Sequence, residues 1–320
     1  MRVVAALRAL GCLTLAACSR VAPAQSPPLL PGRPAPVTPA ASASPAPPPA
    51  GTAPAVAESP KPLSRPCGAL ECLAFASPQA AFEHVLQSDP HVLAVGEAHA
   101  QLGTAGIRSS TRRFAELLLP ALSGRSKHIV IELLVANCKA PTVAGVGKAQ
   151  APVTEQQAPS NQAEFLTLGK YAQRLGIEPQ ALAPTCSEYN SVVAAGEDGI
   201  SRLLTMVALQ TTQAVSALLA QPDAAGNVIL TYGGALHNDL HPRPGQEDWS
   251  FGPQLSAASQ GHYVELDLIV PEFVKDTEAW RNLPWFSAFD REHLSSETLL
   301  YQPSPGSFVL ILPKTATATP

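Results

Sequence analysis

The chain carries little charge and no basic stripe: 14% of its residues are charged, 21 are Lys or Arg, and the formal net charge is −4. A nucleic-acid partner is therefore not expected, because phosphate binding needs clustered positive charge. No Gly-x-Gly-x-x-Gly follows the first apolar run, which argues against a dinucleotide fold. A Gly-x-Ser-x-Gly elbow and a Walker loop are also missing, and no repeat of solenoid length occurs. The apolar run near the N-terminus is too short to cross a bilayer.

What that N-terminus does carry reads as an export signal. Arg2 and Arg8 supply positive charge, residues 9–17 are mostly apolar, and Leu15-Ala16-Ala17-Cys18 is a lipobox. Residues 1–18 are thus read as a lipoprotein signal peptide, with Cys18 as the lipidated residue of an exported protein anchored to a membrane of the cell envelope. Ser19 stands where an inner-membrane retention signal would often carry Asp, which favours the outer membrane. Residues 19–66 are dominated by Pro, Ala and Ser and are expected to form a disordered spacer, having too little apolar surface to offset their ordering entropy. Residues 67–320 suffice for one α/β domain with a sizeable core.

Beyond the lipobox the cysteines are Cys67, Cys72, Cys138 and Cys186. An even count in an exported chain suggests disulfides, and four cysteines allow three connectivities. Cys138 and Cys186 each fall shortly after an expected strand end, so they are read as one pair. Cys67 and Cys72 would close a small loop where the spacer meets the domain. The rival, a four-cysteine zinc site, lacks its paired knuckles.

Apolar periodicity gives helices over 77–88, 104–122, 161–175 and 198–220, with Arg108, Arg112 and Arg113 on a solvated face of the second. Strands are expected at 91–95, 127–133, 180–183, 227–232, 262–270 and 307–312. The Pro-, Gly- and Gln-rich stretch 137–160 reads as a long mobile insertion. Alternating strands and helices argue for βαβ units and a mostly parallel sheet flanked by helices.

Two expected strands end in the same pattern. Val92-Leu93-Ala94-Val95 runs into Gly96-Glu97-Ala98-His99, and the run ending at Tyr232 continues into Gly233-Gly234-Ala235-Leu236-His237. Residues just past the carboxyl ends of parallel strands face the crevice where ligands bind. Glu132 interrupts another apolar strand, where an ionised carboxylate is costly without a partner such as Arg108, a histidine or a metal. Glu97, His99, Glu132 and His237 are the candidate catalytic residues and the candidate ligands of a divalent metal. The bland alternative makes the histidines core residues bonded to backbone carbonyls and Glu132 the partner of an arginine. His241 is read as a loop residue because Pro242 and Pro244 interrupt any helix there.

The order Gly-Glu-x-His, then Val130-Ile131-Glu132-Leu133, then a late Gly-x-x-His resembles the superfamily that joins ChaN-type haem-binding lipoproteins, the Tiki/TraB metalloproteases and the erythromycin esterases. The resemblance covers most of residues 80–240. It implies an α/β domain acting as a metal-dependent hydrolase on a small-molecule or peptide substrate, with His99, His237 and the glutamates holding the metal. The alternatives are a haem-binding uptake lipoprotein, with His99, His237 or Tyr232 as cofactor ligands and Tyr263 as a further contact, or a non-catalytic member.

Overall fold

The computed structural model describes residues 62–67, 70–104, 106–222, 224, 226–289 and 297–315. The expected signal peptide with Cys18, and the spacer as far as residue 61, lie outside them. Among the described residues no helix is long and apolar enough to cross a membrane.

The first half of the domain runs β1 (Leu63–Cys67), β2 (Leu70–Phe75), α1 (Pro78–Leu86), β3 (Val92–Glu97), α2 (Ser110–Arg113), β4 (Ser126–Leu134), α3 (Ala140–Thr154), α4 (Asn161–Arg174) and β5 (Glu178–Leu182). The second runs α5 (Cys186–Ala194), α6 (Gly199–Leu219), β6 (Val228–Gly234), α7 (Gly252–Ala258), β7 (Tyr263–Ile269), α8 (Glu278–Arg281), β8 (Thr298–Ser304) and β9 (Ser307–Ile311). The strands form one nine-stranded sheet in the order β1-β2-β8-β9-β7-β3-β6-β4-β5. From β9 to β5 every pairing is parallel, and the β1-β2-β8-β9 end is antiparallel. The fold is thus α/β with a mostly parallel sheet, as the alternation of elements implies.

Strand β3 shows why these residues take these places. It is central, and all six of its residues are buried, as befits a parallel strand covered on both faces. Its side chains alternate between two cores: Leu93 and Val95 face one with Phe82, Phe114 and Phe165, while Val92 and Ala94 face another with Val192, Leu203 and Leu255. Helix α5 opens on a capping box, Thr185 and Glu188 each satisfying the other's backbone N–H.

Four differences from the sequence reading have physical causes. The stretch 137–160 is not a mobile insertion: α3 occupies most of it and buries Val146, Gln150 and Val153. Two glycines weaken α3, yet Gly145 lets it press against Val193 of α5, where an added Cβ would stand 2.7 Å from that side chain. Strands β1, β2 and β8 were not foreseen, and β1 starts ahead of Cys67 at Leu63. Arg113 is not solvated: it is buried and donates to the Pro313 carbonyl at 2.7 Å and to Thr315 Oγ1 at 2.6 Å, tying α2 to the chain beyond β9. Helix α2 is short and continues as a π-helical turn over Phe114–Leu118 and a 3-10 turn over Leu119–Leu122.

Cys138 and Cys186 form a disulfide, with Cα atoms 5.5 Å apart, joining the segment after β4 to the start of α5. Cys72 is also disulfide-bonded, and the side chain of Cys67 lies outside the described set. Because Cys138–Cys186 closes a 48-residue separation, Cys138→Ser should lower stability by about 4 kcal/mol on the chain-entropy relation. Equilibrium urea denaturation without reductant measures it, and a loss below ~1 kcal/mol would show that the bridge contributes little.

Candidate functional site

Three neighbouring strands, β3, β6 and β4, deliver the residues singled out by sequence to the carboxyl edge of the sheet. Glu97 ends β3 and pairs in register with Gly234 of β6, while Glu132 lies near the end of β4. All four side chains are sealed from solvent, Glu97, His99, Glu132 and His237 being 1%, 0%, 4% and 1% exposed.

Glu97 is the hub of a dense hydrogen-bond network. Its Oε1 lies 2.5 Å from His99 Nδ1, and its Oε2 accepts from Thr111 Oγ1 at 2.7 Å and from the Tyr232 hydroxyl. With Thr111 and Tyr232 donating to Oε2, Glu97 serves as acceptor, so His99 Nδ1 turns an N–H toward Oε1. Tyr232 is kept a phenol, because burial and the adjacent Glu97 push its pKa well above the ordinary tyrosine value. Phe165 packs edge-on against both rings, 6.1 Å from His99 and 5.7 Å from Tyr232.

His237 is held at the same ring atom by a different device. Its Nδ1 lies 2.7 Å from the Trp249 carbonyl, which can only accept, so Nδ1 carries the proton and Nε2 is bare. Burial is the main cause lowering its pKa to about 4, and His99 lowers it further while the Trp249 bond opposes. Glu132 Oε2 accepts from Gly234 N–H at 2.7 Å, and Oε1 stands 3.6 Å from His237 Nε2, beyond hydrogen-bond distance. Burial raises the Glu132 pKa to about 8, and nearby Glu97 adds to the rise. Burial thus disfavours the charged form of both groups, which argues against an ion pair between them.

Glycine makes this crowding feasible. A Cβ on Gly233 would lie 2.5 Å from Glu132 Oε2, and one on Gly96 would lie 2.5 Å from Asn238 Oδ1 and 2.7 Å from the Ala235 Cα. The turn after β6 is folded down onto β3, and Asn238 secures it by donating from Nδ2 to Asp267 Oδ1 at 3.0 Å and to the Ala94 carbonyl at 3.3 Å.

The four residues thus gather at one edge, within electrostatic reach of one another. Three of their atoms, His99 Nε2, His237 Nε2 and Glu132 Oε1, are buried without a hydrogen-bond partner among the described residues. Buried polar atoms are rarely left so, and three together mark a place where a ligand or water belongs. Their donor types suit a metal, but among the described residues no three His, Cys, Asp or Glu side chains stand close enough to hold an ion. Glu97 has both oxygens engaged, so a ligand set would reduce to the three free atoms after side-chain movement.

Other expectations fare differently. Arg108 does not partner Glu132; it pairs with Glu116 at 3.0 Å on the surface. The Tyr232 hydroxyl is spent on Glu97, and Tyr263 donates to the Asn238 carbonyl at 2.5 Å, so neither phenol is free for haem. His241 lies in a loop. Thr111 and the Trp249 carbonyl escaped sequence reasoning. Thr111 follows Ser109, which caps α2 by accepting from Arg112 N–H at 3.1 Å, and that cap aims Thr111 inward. The position of the Trp249 carbonyl has no sequence signal.

The chain matches no protein-family model and no curated protein sequence. Among solved structures it is similar to the type III effector HopBA1, with 12% identity, a TM-score of 0.36, and coverage of 75% of this chain and 96% of that one. A likeness of that size bears on neither activity nor ligand.

Proposed function

We propose that the chain is an exported envelope protein, lipid-anchored through Cys18, whose domain hydrolyses an ester or amide in a small-molecule or peptide substrate by acid–base catalysis. The lipobox supports the anchor. The observation that carries the chemistry is that each site histidine is held at Nδ1 by an acceptor while its buried Nε2 has no hydrogen-bond partner among the described residues. His99, oriented by Glu97, takes a proton from water as the oxygen attacks the acyl carbon, and returns it to the leaving group as the scissile bond breaks. His237 accepts a hydrogen bond from the water or the leaving group. Glu132, neutral at pH 7, donates a hydrogen bond to the acyl oxygen as negative charge develops there. The burial of all four residues means that the segments covering them open to admit substrate.

Glu132 sets the alkaline side of the pH dependence. Activity needs Glu132 protonated, so kcat/KM for p-nitrophenyl acetate should fall as pH rises through about 8. Glu132→Gln keeps a neutral donor and cannot ionise, so it should lose the alkaline limb while retaining activity within ~10-fold at pH 7. An alkaline limb unchanged in this variant would sink the role assigned to Glu132. The stability signs are opposite: Glu132 contributes a loss as pH rises from 4.5 to about 8, because only the folded state keeps its proton. His237 contributes a loss as pH falls from 6.5 to about 4, because only the unfolded state takes one up.

A divalent metal held by His99, His237 and Glu132 is a second reading, favoured by the same three unpartnered atoms. It would supply a Lewis acid and lower the pKa of a bound water. Metal content and the effect of chelator on the same assay separate the two: hydrolysis that disappears with the metal and returns with zinc selects the second reading.

A further inference from the structure

Beside the histidine–glutamate cluster lies a cavity of about 430 Å³, touching the backbone neighbours Ala98, Ala235 and Leu236 but not the four site residues. This is within the ~300–1,000 Å³ range of small-molecule sites. Its lining includes the apolar Trp280, Leu283 and Trp285 of the segment around α8 and Val309 of β9. It also includes Asp239, Glu265 and Asp267, the last paired in register with Val309 across β7 and β9.

We propose that this cavity binds a small organic cation, a primary amine carried on an aromatic or aliphatic body. Among the described residues none of the three carboxylates forms an ion pair, although Arg243 and His241 also border the cavity and act favourably on Asp239. Asp267 gives one oxygen to Asn238 and has no hydrogen bond on the other. Glu265, 6% exposed, accepts from Leu240 N–H at 2.7 Å, and Asp239 accepts from His241 N–H at 3.1 Å. Burial raises the pKa of all three, and repulsion from neighbouring carboxylates adds to the rise for Glu265 and for Asp267, the latter reaching about 7.

The spread of these carboxylates selects among cations. They do not crowd around one point as a bare metal ion requires, since no three acidic or histidine side chains do so among the described residues. An ammonium with several N–H donors can reach separate oxygens while its carbon frame lies on Trp280 and Trp285, whose faces also attract a cation. This site is independent of the hydrolytic reading, because it uses none of the residues assigned to hydrolysis.

Intrinsic fluorescence tests the proposal, as two of the chain's 3 tryptophans line the cavity. Phenethylamine, 2-phenylethanol and 3-phenylpropanoate differ in charge at nearly constant shape, and each is titrated into the full chain. Saturable quenching by the amine, at least 10-fold tighter than by the alcohol and absent with the carboxylate, is the expected result. Asp267→Asn should weaken the amine at least 10-fold and leave the alcohol unchanged. Trp280→Leu, a second variant in the aromatic lining, should weaken both ligands and reduce the quenching amplitude. Equal affinity for amine and alcohol, preference for the carboxylate, or no saturation by the amine at millimolar concentration would overturn the assignment.

Discussion

His99→Ala is expected to lower kcat/KM for p-nitrophenyl acetate by roughly 10²–10⁴-fold, the contribution of a positioned general base, with the fold intact. The His99 Nε2 makes no hydrogen bond among the described residues, so its loss removes no stabilising contact on that side of the ring. On the other side Glu97 loses one of three donors and keeps Thr111 and Tyr232. A buried acceptor left with fewer partners costs about 1–3 kcal/mol, which a domain of this size tolerates. His237→Ala should cost activity to a similar degree, while leaving the Trp249 carbonyl without its donor. Circular dichroism and thermal melting distinguish loss of chemistry from loss of structure. Unchanged hydrolysis in both variants would remove the histidines from the mechanism, and unfolding of both would make them core residues.

The two crowded glycines should respond differently to the same substitution. Gly96→Ala is expected to destabilise the domain by about 3 kcal/mol, at the upper end of overpacking costs, as read by urea denaturation. The added Cβ meets the Ala235 Cα at 2.7 Å, and β3 cannot retreat because β6 and β7 hold it on either side. Gly233→Ala meets Glu132 Oε2 at 2.5 Å, the far end of a side chain that can swing aside, and also Glu132 Cβ at 2.9 Å, which β4 holds in place. Its stability loss should be smaller, about 2 kcal/mol, while the alkaline limb of the pH profile moves because Glu132 leaves the Gly234 N–H. Equal stability losses in the two variants would show that the turn after β6 is not pinned to β3 as described.

By itself the sequence determined the α/β alternation, the central buried strands, and the delivery of Glu97, His99, Glu132 and His237 to one sheet edge. These depend on local periodicity and on the rule that parallel strands gather their carboxyl ends, both legible along the chain. Tertiary structure decided what surrounds them. Thr111 and Tyr232 reach Glu97 from positions 14 and 135 residues away, and Glu132 takes a backbone N–H 102 residues distant, a partner outside the arginine, histidine and metal named as alternatives. Such partners are chosen by how faces pack, and no local pattern records them. The same holds for α3, whose glycines and prolines read as a loop: the surface of α5 rewards the close approach that Gly145 permits. Burial, likewise a property of the packed whole, sets the protonation of the site, disfavouring the charged forms of both Glu132 and His237.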